Sequence, residues 1–148
     1  MTYQKERSTK ETDIKIQLRL DGEDSHINTG VGFLDHMLTL FSFHSGIALN
    51  IEVVGDTQVD DHHTVEDIGI VIGQLLLEVV KDKKSFTRYG SFYIPMDETL
   101  ARVVTDISGR PYLSFNATFS REKVGTFDTE LVEEFFRALV INARLTTH

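Results

Sequence analysis

The stretch Asp61 to Val80 constrains the fold of this chain more than any other. Val65, Ile68, Ile72, Leu75 and Val79 recur at steps of three and four residues, the spacing that gathers side chains onto one stripe of a helix. A helix of this length must lay that stripe on a sheet or on other helices. Asp61 at its start suits an N-cap, whose side-chain oxygen accepts a free N–H of the first turn. Gly69 and Gly73 fall on the same edge as His62 and Glu66. Each glycine costs a helix roughly 1 kcal/mol in propensity, so the pair predicts close approach of another backbone.

The flanking segments supply sheets. Ile14 to Leu20 alternates apolar and polar residues, the pattern of a half-buried strand, and Asp21-Gly22-Glu23-Asp24 is a turn. Phe33, Met37, Leu40, Phe41 and His44 stand at helical spacing, and Ile47 to Val54 is a strand ended by Gly55-Asp56. Lys81 to Lys84 is a solvated loop. A second half begins near Arg88-Tyr89-Gly90. It holds strands over Leu100–Ile107 and Tyr112–Phe119, joined by the turn Ser108-Gly109-Arg110-Pro111, and a helix over Thr129–Arg144. Leu131, Phe135, Ala138 and Leu139 form the inner face of that helix. The order of strands then helix occurs twice. In the first half a further strand and the long helix follow; after Arg144 only Leu145 to His148 remain. The expectation is an α+β fold of two similar halves, 1–84 and 85–148, within one domain. Each half has a mostly four-stranded sheet with helices on one face, the second half being incomplete.

Composition narrows the partners. The chain has 148 residues, enough for one buried core, and a formal net charge of −8. That charge argues against a nucleic-acid or anionic-membrane surface. Cysteine is absent, which excludes disulfides and thiolate metal sites. Met1 to Asp13 has no apolar signal-peptide core. The apolar run Ile68 to Val80 is interrupted by Gly69, Gly73, Gln74 and Glu78 and is too short to span a bilayer. A cytoplasmic location is expected.

The chemistry concentrates in Asp60-Asp61-His62-His63-Thr64-Val65-Glu66. His62 and Glu66, four residues apart on a helix, converge on one face, and imidazole with carboxylate suits first-row metals. His63 projects about 100° away around the helix, better placed to serve a second ion. The alternative is an ordinary helix start, with Asp60 and Asp61 complementing the dipole and both histidines at the surface. His36 is a further ligand candidate, or a core-edge histidine held by Asp35 or a carbonyl. His148, as the final residue, is disordered by default. His26 and His44 lack a supporting pattern. Arg88 and Arg110 are anion-binding candidates, since guanidinium holds phosphate bidentately; the competing reading is two surface arginines. Asp97 and Glu98 are acid/base groups or a solvated loop.

Six segments occur in order: Gly32-Phe33-Leu34-Asp35-His36-Met37-Leu38, Asp60 to Ile68, Arg88-Tyr89-Gly90, Pro95-Met96-Asp97-Glu98, Ser108-Gly109-Arg110-Pro111 and Phe127-Asp128-Thr129-Glu130-Leu131. As a set, spanning about Lys5 to His148, they closely resemble the imidazoleglycerol-phosphate dehydratase family of histidine biosynthesis. The resemblance implies a hydro-lyase that converts imidazole glycerol phosphate to imidazole acetol phosphate. It implies two Mn²⁺ ions per complete site, with the substrate held as an imidazolate between them. The sites would lie between subunits of an assembly of twenty-four chains built from trimers. By motif match the metal ligands would be His36, His62, His63, Glu66 and His148. Arg88 and Arg110 would contact the substrate phosphate. Glu11, in Thr9-Lys10-Glu11-Thr12, would be the acid/base group. Ligand softness alone favours zinc or iron at imidazole-rich sites; manganese comes from the resemblance. Family members continue past the position of His148 into a second His-His-x-x-Glu helix with three more ligands and a phosphate-binding lysine. Their absence here implies a fold-competent but catalytically incomplete chain, forming a smaller assembly. The rival readings are a non-catalytic oligomeric scaffold bridged by metal and a metal-assisted hydrolase. A scaffold has no need of Glu11 or the two arginines.

Overall fold

The polar start of the chain is a strand. In the computed structural model, which describes residues 1–22 and 24–148, β1 (Thr2–Ser8) pairs antiparallel with β2 (Thr12–Arg19) from Thr2↔Arg19 to Ser8↔Asp13. The sequence pattern alone does not reveal β1, because a sheet-edge strand with one solvated face needs few apolar residues. Then come β3 (His26–Asn28), α1 (Gly32–Ser45), β4 (Ala48–Gly55) and α2 (His62–Asp82). The sheet order is β1-β2-β4-β3, with β2 and β4 antiparallel and β3 and β4 parallel.

The alternation in β2 and β4 decides which face is buried. Ile14, Ile16 and Leu18 point with Leu49, Ile51 and Val53 to one side, and all six are buried. The stripe of α2 lies on that side: Val65, Ile68, Ile72, Leu75 and Val79 are buried, as expected, and Val71 joins them. Burying a side chain of this kind contributes roughly 1.5–3 kcal/mol, so this helix–sheet contact is a major stabilising layer. The expected stripe of α1 is corrected. Leu34, Leu38 and Ser42 turn inward, whereas Leu40, Phe41 and His44 are exposed. About 100° of rotation about the helix axis separates the two choices, and only the neighbouring strands select between them. Asp61 does not cap α2 with its side chain; the His62 N–H donates instead to Asp60 Oδ1 at 2.9 Å. The helix also runs through Lys81 and Asp82, which the sequence places in a loop.

The second half contains β5 (Tyr89–Met96), β6 (Thr99–Asp106), β7 (Tyr112–Leu113), the small hairpin of β8 (Lys123–Val124) and β9 (Phe127–Asp128), α3 (Leu131–Ala143) and β10 (Thr146–Thr147). Its sheet order is β5-β6-β10-β7, with β10 antiparallel to β6 and parallel to β7. The first sheet has the same order and sense, strand for strand, and α1 and α3 occupy equivalent places. Among the described residues no counterpart of α2 follows β10, and Phe92, Tyr93, Ile94, Leu100 and Val103 of the β5–β6 hairpin are exposed. Asp97 and Glu98 turn this hairpin, with Asp97 in the left-handed region at φ 50°. The expected strand Tyr112–Phe119 shrinks to two residues. The Ser114 N–H still reaches Thr147 O at 2.9 Å. Beyond it no described strand stands alongside, and an unpaired segment is no strand.

The two halves meet along α2 and α3. A Cβ on Gly69 would lie 2.8 Å from Phe135 O, and one on Gly73 would lie 2.5 Å from Leu139 O. The two glycines thus admit the backbone of α3, the close approach their position predicts. Among the described residues, no helix is long and apolar enough to cross a membrane.

Candidate functional site

Five of the predicted or newly found residues gather where the β1–β2 turn, the end of β4 and the start of α2 come together. His62 and Glu66 face each other across one helical turn, Nε2 to Oε2 3.3 Å. The His63 ring lies 6.1 Å from that of His62 and at 87° to it, so the two imidazoles face different directions. His63 Nδ1 is 2.8 Å from Asp56 Oδ2. The hydrogen bond to Asp56 raises the His63 pKa above the usual histidine value, partly offset by desolvation, and the charges of Asp56, Glu11 and Asp60 add to the rise.

Glu11 therefore acts on His63 through space, and its own backbone is firmly seated. Thr9 Oγ1 accepts the N–H groups of Glu11 and Thr12, at 3.1 and 3.0 Å. The Asp56 N–H donates to Glu11 O at 3.0 Å. Beneath this turn, buried Thr12 donates its hydroxyl to buried Asp67 at 2.5 Å. Arg7 Nε lies 3.3 Å from the other Asp67 oxygen, an ion pair whose angle makes no hydrogen bond. A carboxylate this deep needs such partners. The network ties β1 and β2 to α2 one residue away from both Glu11 and Glu66.

The two arginines form a second group. Arg88 grips Asp106 through Nε at 2.6 Å and through a second nitrogen at 3.1 Å. That grip, with the charge of Arg110 in addition, holds the Asp106 carboxyl below its ordinary range. Arg88 and Arg110 thus both lie within electrostatic reach of one carboxylate. The Arg110 turn is braced by Ser108 Oγ, which accepts the Arg110 N–H at 3.1 Å, and by Thr146 Oγ1, which donates to Arg110 O at 2.9 Å.

The remaining candidates stand apart. His36 is exposed on α1, and Asp35 is not its partner: Asp35 Oδ1 accepts from the N–H and hydroxyl of Thr29. His148 is exposed on the second sheet but not disordered; its backbone exchanges two 2.9 Å hydrogen bonds with Val104. Its side chain lines an open cavity of about 380 Å³ with Tyr93, Leu100, Arg102, Ser114 and Asn116. His26 pairs with Glu52 at the surface. Asp56, Asp67, Thr12 and Asp106 escape sequence reasoning. Each works through a partner at least seven residues away, and the only local signal was Asp56 at a strand end.

Among the described residues, no three His, Asp or Glu side chains converge closely enough to hold a metal ion. The donor set nevertheless suits part of a shell. His62 and Glu66 point one imidazole and one carboxylate at common space, and His63 keeps Nε2 free.

An α+β chain of two like-ordered sheets, with imidazole and carboxylate donors opening its central helix, is the class these features define. The chain belongs to the imidazoleglycerol-phosphate dehydratase family, whose model matches residues 29–148. It is 81% identical to the imidazoleglycerol-phosphate dehydratase of Staphylococcus carnosus and 77% identical to that of a bovine Staphylococcus aureus strain. In both cases all of this chain aligns with 77% of the relative. A crystal structure of the enzyme from Staphylococcus aureus subsp. aureus N315 superposes with a TM-score of 0.92 at 73% identity, covering 100% of this chain and 82% of that one. The Pyrococcus furiosus enzyme, crystallised with (S)-C348, gives 0.83 at 38% identity over 97% of this chain and 77% of the other.

Proposed function

We propose that this chain is the lyase that dehydrates D-erythro-imidazole glycerol phosphate to imidazole acetol phosphate in histidine biosynthesis, in the cytoplasm and as a homo-oligomer. The observation that carries the proposal is the pairing of His62 with Glu66 at the start of α2, with His63 beside them held by Asp56, whose N–H is bonded to the Glu11 turn. A scaffold reading accounts for the histidines but not for Glu11, whose turn is held by three hydrogen bonds beside them.

The residues divide the work. His62 and Glu66 would hold one ion and His63 another, with His36 and His148 reaching sites shared with neighbouring subunits. Two Mn²⁺ ions, when bound, supply Lewis acidity and a template for the imidazole ring. Glu11 takes the carbon-bound proton, and the hydroxyl beside the ring departs, so that water is lost overall. Arg88 and Arg110 bind the phosphate; Arg88 enters the site with its guanidinium already oriented by Asp106.

The test titrates Mn²⁺ into this chain and into one extended to the length of its relatives, measuring particle mass and dehydration of imidazole glycerol phosphate. Metal-dependent turnover is expected. Absence of turnover in both sinks the lyase reading. Glu11→Gln in the active form should keep Mn²⁺ binding and lose turnover; retained turnover removes Glu11 from its role.

A further inference from the structure

We propose that Asp56 is the positioning residue of the site: it fixes the tautomer and direction of the His63 ring and anchors the Glu11 turn to the same point. The inference rests on the reading of His63 as a ligand given above, and its first readout does not depend on that reading.

Asp56 follows directly on the last residue of β4, and its side chain is only 15% exposed. Its Oδ2 faces His63 Nδ1 at 2.8 Å, while its Oδ1 is buried and without a hydrogen-bond partner among the described residues. A buried carboxylate with one partner is committed to that partner, because leaving it unmade costs the full desolvation. A neutral imidazole bonded to a carboxylate through Nδ1 must carry its proton there, since the carboxylate only accepts. The lone pair then sits on Nε2, at the far side of the ring. The same division recurs at metal-ligating histidines, where the partner sets the tautomer and raises ligand basicity.

The backbone of Asp56 supplies the second link. Its N–H donates to Glu11 O at 3.0 Å. One residue thus sets both the imidazole and the strand turn that carries the acid/base group. Thr57 to Asp61 separate Asp56 from α2, so the spacing between Glu11 and His63 depends on this junction and not on helix geometry alone.

The experiment uses the whole metal-free chain labelled with ¹⁵N in histidine, at a pH above the His63 titration range, with His63→Gln to assign the signal. Solid-state ¹⁵N spectra report which ring nitrogen bears the proton, whatever the particle size. The native chain should show His63 protonated on Nδ1. Asp56→Ala should return it to the Nε2-protonated form that an unconstrained imidazole prefers. Asp56→Asn keeps the side-chain volume and serves where the alanine variant does not fold; its Nδ1-protonated fraction should fall. A native ring protonated on Nε2, or a ring unaffected by both variants, overturns the proposal. Mn²⁺ titration of the same samples should show affinity at the His63 site reduced about 10- to 100-fold. A changed tautomer with unchanged Mn²⁺ affinity upholds Asp56 as the orienting group and counts against His63 as a ligand.

Discussion

Gly73→Ala places one methyl group where α3 passes over α2. The added Cβ would stand 2.5 Å from Leu139 O, 2.9 Å from Asn142 Cβ and 3.1 Å from Ala143 N. Carbon contacts are comfortable at about 3.5–4.0 Å, so the helices must part by roughly 1 Å. Two of the three atoms met are backbone, and no rotamer change relieves them. Overpacking of this kind costs about 1–3 kcal/mol, and the gain in helix propensity offsets about 1 kcal/mol. With backbone in the way the cost lies in the upper part of its range, leaving a net loss of about 1–2 kcal/mol. In urea the midpoint should fall by about 0.5–1 M for a slope near 2 kcal/mol/M. By heating, the midpoint should fall by about 2–8 °C. Gly69→Ala, with Phe135 O at 2.8 Å and Ala138 Cβ at 3.0 Å, should move the same way. Gly32→Ala is the control. It opens α1, meets nothing within 4 Å, and should be neutral or stabilising by up to about 1 kcal/mol. If Gly73→Ala unfolds at the same or higher urea than the native chain, the close crossing of α2 and α3 is refuted.

Three further outcomes are expected. Thr12→Val removes the hydroxyl from buried Asp67 and should cost roughly 1.5–3 kcal/mol in urea unfolding, most of it restored by Thr12→Ser; equal midpoints for Val and Ser would show the bond to be idle. Asp106 titrates below its ordinary range because Arg88 binds it. Its contribution is therefore present above the unfolded carboxylate value of about 3.9 and lost as pH falls through the lower folded value. Urea midpoints of native chain and Asp106→Asn, compared from about pH 6 to about pH 2.5, should converge on the acid side; a gap that stays constant removes the linkage. Arg88→Ala breaks a pair whose arginine is half-exposed and screened by solvent, so stability should barely move. KM for the phosphorylated substrate in the active assembly should rise about tenfold or more, and an unchanged KM takes Arg88 out of phosphate binding.

The legible parts of the fold are those whose residues meet their own near neighbours. The α2 stripe, β2, β4 and the inner face of α3 follow from periodicity, and His62 with Glu66 follows from the rise of a single helix. Edges are harder. In β1 the buried and exposed positions are set by Arg19 to Asp13 lying alongside, and β7 ends where its neighbour ends. In α1, Leu38 rather than Leu40 turns inward, although both are leucines two residues apart.

Sequence by itself determined the α+β class, the central helix, the glycine edge that receives α3 and the family to which the motifs belong, because the helix and its glycine edge rest on spacing along one segment, and the class and family on the order of segments along the chain. Tertiary structure alone decided that Asp56 holds His63, that Asp67 receives Thr12, that Arg88 grips Asp106, and that the Glu11 turn is bonded to Asp56 beside His63. Hydrogen bonds and charges act over a few ångströms of space. Most of these partners are brought to that distance by pairing of strands and docking of helices far apart in the chain.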